Sequence, residues 1–102
     1  MNACVRLSRN DSVKTFGIRA SAVPYRDQVE QALDASQSVT IDFCGHEATQ
    51  SFVDELIGSL ILRRGRDVIA KLIFENCPAE VKGIIRFVVK DRVSQLSRPA
   101  AA

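Results

Sequence analysis

The amino-acid sequence predicts an α/β fold in which a mixed sheet of about four strands packs against three helices. Two apolar segments, residues 39–43 and 68–74, are rich in β-branched residues and have the length of buried strands. Residues 51–62 lie between them and carry apolar side chains at helical spacing. A strand, a helix and a strand in this order form a right-handed crossover between parallel strands.

Length and composition restrict the class of protein to which the chain belongs. With 102 residues it has the size of one domain, which we place at residues 1–94. The apolar pattern fades after that point, and residues 95–102 are predicted to form a flexible tail. The apolar runs are far shorter than the about 20 residues that cross a membrane. Three widely separated cysteines, Cys4, Cys44 and Cys77, fit free thiols in a reducing cytoplasm.

The N-terminal third is predicted to contain a hairpin and the first helix. Residues 4–7 and 13–19 form two strands joined by a turn-rich segment, which indicates an antiparallel pair, although Gly17 weakens the second strand. Ser21 is the predicted N-cap of a helix that begins near Pro24 and ends at about residues 34–36. The apolar side of this helix consists of Tyr25, Val29, Ala32 and Leu33.

The second helix follows the strand at residues 39–43 after a seven-residue loop, residues 44–50. Ser51 is predicted to cap its N-terminus, with Asp54 completing a capping box, and Thr49 is a competing cap. Asp54 and Glu55 place negative charge at the positive end of the helix dipole. Gly65 ends the helix in a left-handed conformation. The apolar face consists of Phe52, Leu56, Leu60 and Ile61.

The third helix begins at Pro78, and either Asn76 or Cys77 caps it. Its predicted inner face consists of Val81, Ile84, Ile85, Val88 and Val89. Its predicted outer face consists of Lys82, Arg86, Lys90 and Arg92.

The loop at residues 44–50 is the leading candidate site. It leaves the carboxyl end of a parallel strand, which is the edge of an α/β sheet where ligands and partners usually bind. The competing interpretation is a plain connector. Phosphate binding at the helix start is disfavoured because the loop has a single glycine, Gly45, no lysine, and an acidic neighbour in Glu47.

Cys44 and His46 allow two interpretations. They are two residues apart and would share one side of a continuing strand, as in a thiolate–imidazole nucleophile or half of a zinc site. The simpler interpretation makes Cys44 a small buried residue and His46 an exposed loop residue. Asp54 and Glu55 are adjacent on a helix and diverge by about 100°, so a capping role is simpler than general acid–base catalysis.

Ser51 is either an N-cap or a phosphate acceptor, and Thr49 competes for both roles. A phosphate on Ser51 would lie beside Glu47, Asp54 and Glu55 in the sequence, and their negative charges would repel it.

The residues around this loop resemble a known family. The strand Val-Thr-Ile-Asp-Phe at residues 39–43, a short loop, and then Thr-Gln-Ser-Phe-Val-Asp-Glu-Leu at residues 49–56 are similar to the signature of the STAS-like domain of unknown function. That family is a bacterial relative of the STAS anti-sigma-factor antagonists. The Arg19-Ala20 pair before the first helix is also similar, and the resemblance covers about residues 13–92.

The resemblance implies a STAS-type α/β fold and a role as a protein-binding switch. In true antagonists a partner kinase with a histidine-kinase-like ATPase fold phosphorylates a serine at this helix start, within an Asp-Ser-Ser-Gly run, and the partner is released. Ser51 is the nearest match to that serine. Residues 49–52 read Thr-Gln-Ser-Phe in the place of that run.

We therefore expect a non-enzymatic bacterial regulatory domain without a cofactor or metal ion. Its partner is a protein, such as an ATPase kinase or an anti-sigma-type factor, rather than nucleic acid or a membrane, and the chain is a monomer or a weak homodimer. The alternative is a small ligand-binding or enzymatic domain that uses Cys44 and His46. The expected partner-binding residues are Gly45, His46, Glu47, Thr49, Ser51, Asp54 and Glu55.

Overall fold

The computed structural model describes residues 2–7, 15–16 and 19–97. The strands are β1 (Asn2–Arg6), β2 (Thr15–Phe16), β3 (Ser38–Asp42), β4 (Glu47–Ala48) and β5 (Leu72–Glu75). The α-helices are α1 (Arg19–Ala35), α2 (Gln50–Val53), α3 (Ser59–Arg64) and α4 (Ala79–Ser97). A π-helical turn, Asp54–Gly58, joins α2 to α3 without a break, and we call the continuous segment 50–64 the central helix. A 3₁₀-helix, Arg66–Lys71, precedes β5.

The main sheet has three parallel strands in the order β1-β3-β5. The prediction of an α/β fold with a parallel crossover through the central helix is confirmed, since β3 pairs in parallel with β5. The predictions of a mixed four-stranded sheet and of three helices are wrong.

The predicted antiparallel hairpin is also wrong. β1 pairs in parallel with β3, and β2 pairs in parallel with β4 in a separate two-stranded sheet. Pairing with β3 buries Val5 and Leu7 in the core. A two-stranded hairpin at the surface would leave these apolar side chains in contact with water. The predicted turn at residues 9–12, together with Val13 and Gly17, lies outside the described residues.

One face of the sheet is buried and the other is exposed. Val39 and Ile41 of β3 are fully buried, and the register places Val5 and Leu72 beside them. Both crossovers step in the same direction across the sheet, and right-handed connections therefore place α1 and the central helix on the same face.

The first helix is longer than the sequence predicted. It begins at Arg19, so Ser21 is inside the helix and does not cap it, and Pro24 lies in the second turn. At this position the proline lacks the N–H that would bond to the carbonyl of Ala20, so the helix loses one of its early hydrogen bonds. The early start brings Ala22, which is fully buried, against the core.

The central helix is apolar around most of its circumference. Six of its side chains are fully buried: Phe52, Val53, Leu56, Ile57, Leu60 and Ile61. The helix packs against α1 on one side and against α4 on another, which explains why its apolar face is broad. It ends at Gly65, whose φ of +85° and ψ of 175° form a conformation that glycine alone adopts readily.

The second half of the predicted strand 68–74 is a strand, and the first half is not. Residues 68–71 belong to the 3₁₀-helix, and β5 begins at Leu72. Val68 is buried, which explains why it is apolar although it lies in a short helix. Periodicity does not distinguish a short buried helix from a strand.

The last helix, α4, has the predicted inner face. Val81, Ile85 and Val88 are buried, and Ile84 and Val89 pack against the core. α4 packs mainly on the central helix and continues through Ser97, past residue 94, while residues 98–102 lie outside the described part of the chain. None of the described helices combines the length and the apolar character that crossing a bilayer requires.

Candidate functional site

Asp42 holds together the carboxyl ends of the three parallel strands. Its Oδ1 accepts hydrogen bonds from the backbone N–H of Cys44 at 2.8 Å and from Nδ2 of Asn76 at 2.9 Å. Arg6 Nε lies 3.5 Å from the other carboxylate oxygen. The donated bonds from Asn76 and from the Cys44 backbone lower the pKa of Asp42, so the charged form is favoured in the folded state.

The backbone after β3 turns sharply at the predicted loop. Cys44 and Gly45 both have positive φ, at 54° and 76°, and the N–H of His46 bonds back to the carbonyl of Phe43. The N–H of Gly45 bonds to the carbonyl of Asn76, which joins this loop to the one after β5. Gly45 and Glu47 are exposed, while His46 is half-buried. Backbone hydrogen bonds therefore hold the loop in one conformation.

The structure does not favour a nucleophilic Cys44. This residue is exposed, contrary to the interpretation that it is a small buried residue. Partial desolvation and the adjacent Asp42 carboxylate raise the pKa of its thiol, which reduces the thiolate fraction at neutral pH. Burial likewise raises the pKa of Cys77 across the same surface. Among the described residues, no group of three or more His, Cys, Asp or Glu side chains is placed to hold a metal ion.

Thr49, and not Ser51, caps the central helix. The Thr49 Oγ1 accepts a hydrogen bond from the backbone N–H of Phe52 at 3.3 Å, and its backbone is extended, as an N-cap requires. The sequence left Ser51 and Thr49 open as caps, and the structure has Thr49 in this role. Gln50 and Ser51 lie in the first turn with exposed side chains, so the Ser51 hydroxyl is accessible at the helix start.

Asp54 does not cap the helix as a capping box would. Arg92 of α4 donates two hydrogen bonds to its carboxylate, at 2.7 and 2.5 Å, and Arg19 of α1 donates a third at 2.9 Å. The prediction that Arg92 lies on the outer face of its helix is therefore wrong, because the bidentate pair draws its guanidinium toward the central helix. We call Asp54, Arg19 and Arg92 the aspartate cluster.

Glu55, the next residue of the π-helical turn, is also bound by an arginine of α1. Arg26 of α1 donates a short hydrogen bond to its carboxylate, and Ser59 Oγ donates another at 3.2 Å. The side chain of Glu55 is only 15% exposed and that of Asp54 only 13%. Both acids thus fasten the central helix to its neighbours.

Gly58 provides the space for the aspartate cluster. A Cβ atom at this position would lie 2.5 Å from Oδ1 of Asp54 and 3.1 Å from Nε of Arg92. The backbone of Gly58 is ordinary helix, with φ of −59° and ψ of −41°, so the glycine is needed here for room rather than for conformation.

Comparison with known families gives one match. A family model described as a STAS-like domain of unknown function covers residues 21–82, which is more than half of the chain. The chain belongs to this family. Neither the curated proteins nor the solved structures contain a significant match.

The span that matches the STAS-like family contains the whole loop and the central helix but not every residue that supports them. Arg19 and Arg92 lie outside it, as does β1. The aspartate cluster therefore joins the central helix to one residue on each side of the matched span.

Of the seven predicted partner-binding residues, the structure places three, Gly45, Glu47 and Ser51, on the exposed surface. Sequence reasoning missed Asp42, Asn76 and the three arginines that bind Asp54 and Glu55. Asp42 carries one visible signal, a charge at the end of an otherwise apolar strand. Arg19 carries one in the Arg19-Ala20 pair of the family resemblance, whereas Arg26 and Arg92 carry none, because they are distant in sequence from the acids they bind.

Proposed function

We propose that this STAS-like domain is a non-enzymatic bacterial regulatory module that acts in the cytoplasm and binds a protein partner through the rim, which we define as residues 45–55. The partner is an ATPase kinase or an anti-sigma-type factor, as the family resemblance implies. The observation that carries the proposal is the exposed polar surface of Gly45, Glu47, Gln50 and Ser51 beside a rigidly tied sheet edge.

The rim is preorganised, which favours binding. Its backbone is fixed by hydrogen bonds from His46 to Phe43 and from Gly45 to Asn76, and its helix start is capped by Thr49. A surface that is already ordered loses little conformational entropy when a partner binds. Asp54 and Glu55 bind arginines of α1 and α4 and so hold the rim in place rather than contact the partner.

Phosphorylation of Ser51 is the proposed control. The hydroxyl is exposed and borders a cleft of about 430 Å³ that Arg19 and Arg92 also line. The repulsion expected from Asp54 and Glu55 is reduced, because arginines already bind both carboxylates. A phosphate at Ser51 would change the charge of the exposed rim by nearly two units and leave the core intact.

The test is affinity capture from an extract of the source organism with the wild-type full chain and single-residue variants of it. The wild type and Asp67→Arg, a charge reversal at an exposed residue outside the rim, are expected to capture the same protein. Glu47→Arg is expected to lose it, and Ser51→Glu to weaken it more than Ser51→Ala does. Capture that survives both Glu47→Arg and Gln50→Arg would exclude the rim as the interface.

The alternative based on Cys44 and His46 has a separate test. Because the thiol pKa is raised, iodoacetamide is expected to alkylate Cys44 slowly near neutral pH in a Cys4→Ser, Cys77→Ser form, and faster as the pH rises. Alkylation faster than that of a cysteine in an unstructured peptide would instead support a reactive thiol.

A further inference from the structure

The exposed side of α4 carries an aromatic ring that the fold does not use. Phe87 is 54% exposed, although its neighbour Val88 is buried in the core. Together with Ile84 and Gly83 it lines an open groove of about 410 Å³ that extends to Gln50 at the start of the central helix. A large exposed aromatic residue beside a groove is typical of a protein-binding surface.

Gly83 has no structural reason to be a glycine within this chain. It lies in the interior of α4, where glycine is unfavourable relative to alanine. A Cβ atom at this position would meet nothing within 4 Å, so neither the core nor a neighbouring described element needs the space. Its effect is to leave the backbone of α4 open to close approach from outside, one turn from Phe87.

A row of cations runs beside this groove. Lys82, Arg86 and Lys90 follow one another at four-residue intervals and are exposed. None of the three forms an ion pair with a described residue, whereas Arg19, Arg26 and Arg92 all do. The row is therefore free to bind carboxylates from another molecule.

We propose that the outer side of α4 binds an acidic amphipathic helix of a partner protein. An apolar side chain of that helix lies against Phe87 over Gly83, and its carboxylates face Lys82, Arg86 and Lys90. Glu80 and Asp91 border the groove region on the opposite side and repel carboxylates there, which sets the orientation of the bound helix. This surface borders the rim, since Gln50 lines the groove and Phe87 also lines the cleft beside Ser51. Glu47 lines neither, so Glu47→Arg separates this proposal from binding through the rim.

The composition of the surface favours a protein over nucleic acid. Three cations beside acidic residues, in a chain with a net charge of +2, give a weak field for a polyphosphate. The groove also needs an apolar occupant, since its centre is formed by Phe87, Ile84 and the bare backbone of Gly83.

The test is selection of short helical peptides from a displayed library against the full-length chain, followed by fluorescence polarisation of the recovered sequences. The expected binders combine carboxylates on one flank with large apolar residues at helical spacing. Their affinity is expected to fall about tenfold or more with Phe87→Ser and with the pair Lys82→Glu and Lys90→Glu. The matched control is the pair Arg66→Glu and Lys71→Glu, which changes the net charge equally on the exposed 3₁₀-helix and should leave binding unchanged.

Several outcomes would overturn the proposal. They are recovery of no binder, recovery of uncharged or basic binders, tighter binding of a random oligonucleotide than of any peptide, and dimerisation of the chain that Phe87→Ser abolishes. Binding that is lost with Glu47→Arg but kept with Phe87→Ser would also overturn it while supporting the rim. Loss with Phe87→Ser and retention with Glu47→Arg would support it whatever the rim does.

Discussion

At the scale of single residues, the acids near the helix start act through side-chain partners and not through the helix dipole. Asp54 has three hydrogen bonds from two arginines that come from two other helices. Burial opposes its ionisation, but the bonds from Arg92 and Arg19 prevail and lower its pKa below the ordinary 3.8. The folded state therefore favours the charged carboxylate more strongly than the unfolded chain does.

Asp54→Asn is expected to lower the free energy of unfolding at neutral pH by about 2 kcal/mol, because two arginines lose their charged acceptor. Since the folded pKa is depressed, the stabilisation is present above the unfolded pKa of about 4 and is lost as the pH falls through the folded value. The variant should therefore lose less stability than the wild type on acidification below about pH 4. Urea unfolding at several pH values measures both effects.

Asp67→Asn is the control for this prediction, because Asp67 is exposed and has no ion pair with a described residue. It should leave both the neutral-pH stability and its acid dependence close to those of the wild type. Equal acid dependence in Asp54→Asn and the wild type would contradict a depressed pKa at Asp54.

The helix cap gives a second prediction for single residues. Thr49→Ala is expected to destabilise the fold by about 1 kcal/mol, because the N–H of Phe52 loses its acceptor. Ser51→Ala, at an exposed residue two positions after Thr49, should change stability by less than about 0.5 kcal/mol. Thermal unfolding of the two variants compares them directly, and a larger loss with Ser51→Ala would mean that Ser51 is the working cap.

At the scale of elements, the central helix and α4 each contain a glycine, and the two have opposite surroundings. Gly58 is crowded by Asp54 and Arg92, whereas Gly83 has open space around it. A methyl group at Gly58 would force the aspartate cluster apart. The same group at Gly83 would only improve the helical propensity of α4.

Gly58→Ala is expected to destabilise the protein by about 1–3 kcal/mol, as overpacking does, and Gly83→Ala to stabilise it by up to about 1 kcal/mol. Chemical denaturation of both variants measures the difference, and each serves as the control for the other. If both substitutions stabilise the protein, or both destabilise it, then one factor alone, either helical propensity or packing, governs both positions.

The elements also show what the sequence was able to predict. Period and composition identified β3, the central helix and the inner face of α4, because burial in these elements is regular along the chain. They indicated a strand at β1 but failed for its pairing, because its partner is 36 residues away in the paired register of Asn2 and Ser38. They failed for residues 68–71 because short apolar segments look alike in a strand and a 3₁₀-helix.

The sequence predicted where the candidate site lies but not which side chains hold it together. The exit from β3 marked the rim, since a strand end followed by a polar loop is visible in the sequence. The partners of Asp54 and Glu55 were not predictable, because hydrogen bonds across 29 to 38 residues of sequence arise only from the packing of α1 and α4.

At the scale of the whole molecule, the core extends beyond the span that defines the family. β1 forms one edge of the sheet and contributes Val5, while Ile85 and Val88 of α4 lie in the core beyond residue 82. Removing both would expose one edge of β3 and the side of the central helix that α4 covers.

A fragment of residues 21–82 is therefore expected not to unfold cooperatively, whereas residues 1–97 should keep the full transition. Circular dichroism during thermal unfolding and the dispersion of amide signals in NMR spectra distinguish the two. A sigmoidal transition and a dispersed spectrum from the short fragment would show that the matched span folds by itself.

The π-helical turn Asp54–Gly58 has a consequence for how family members are compared. Such a turn accommodates one residue more than an α-helical turn. Deleting one residue after Glu55 in this turn would rotate Asp54 and Glu55 by about 100° relative to the rest of the helix. Their carboxylates would then no longer reach arginines on both α1 and α4. Relatives with a one-residue gap in this segment are therefore expected also to lack the counterparts of Arg26 and Arg92.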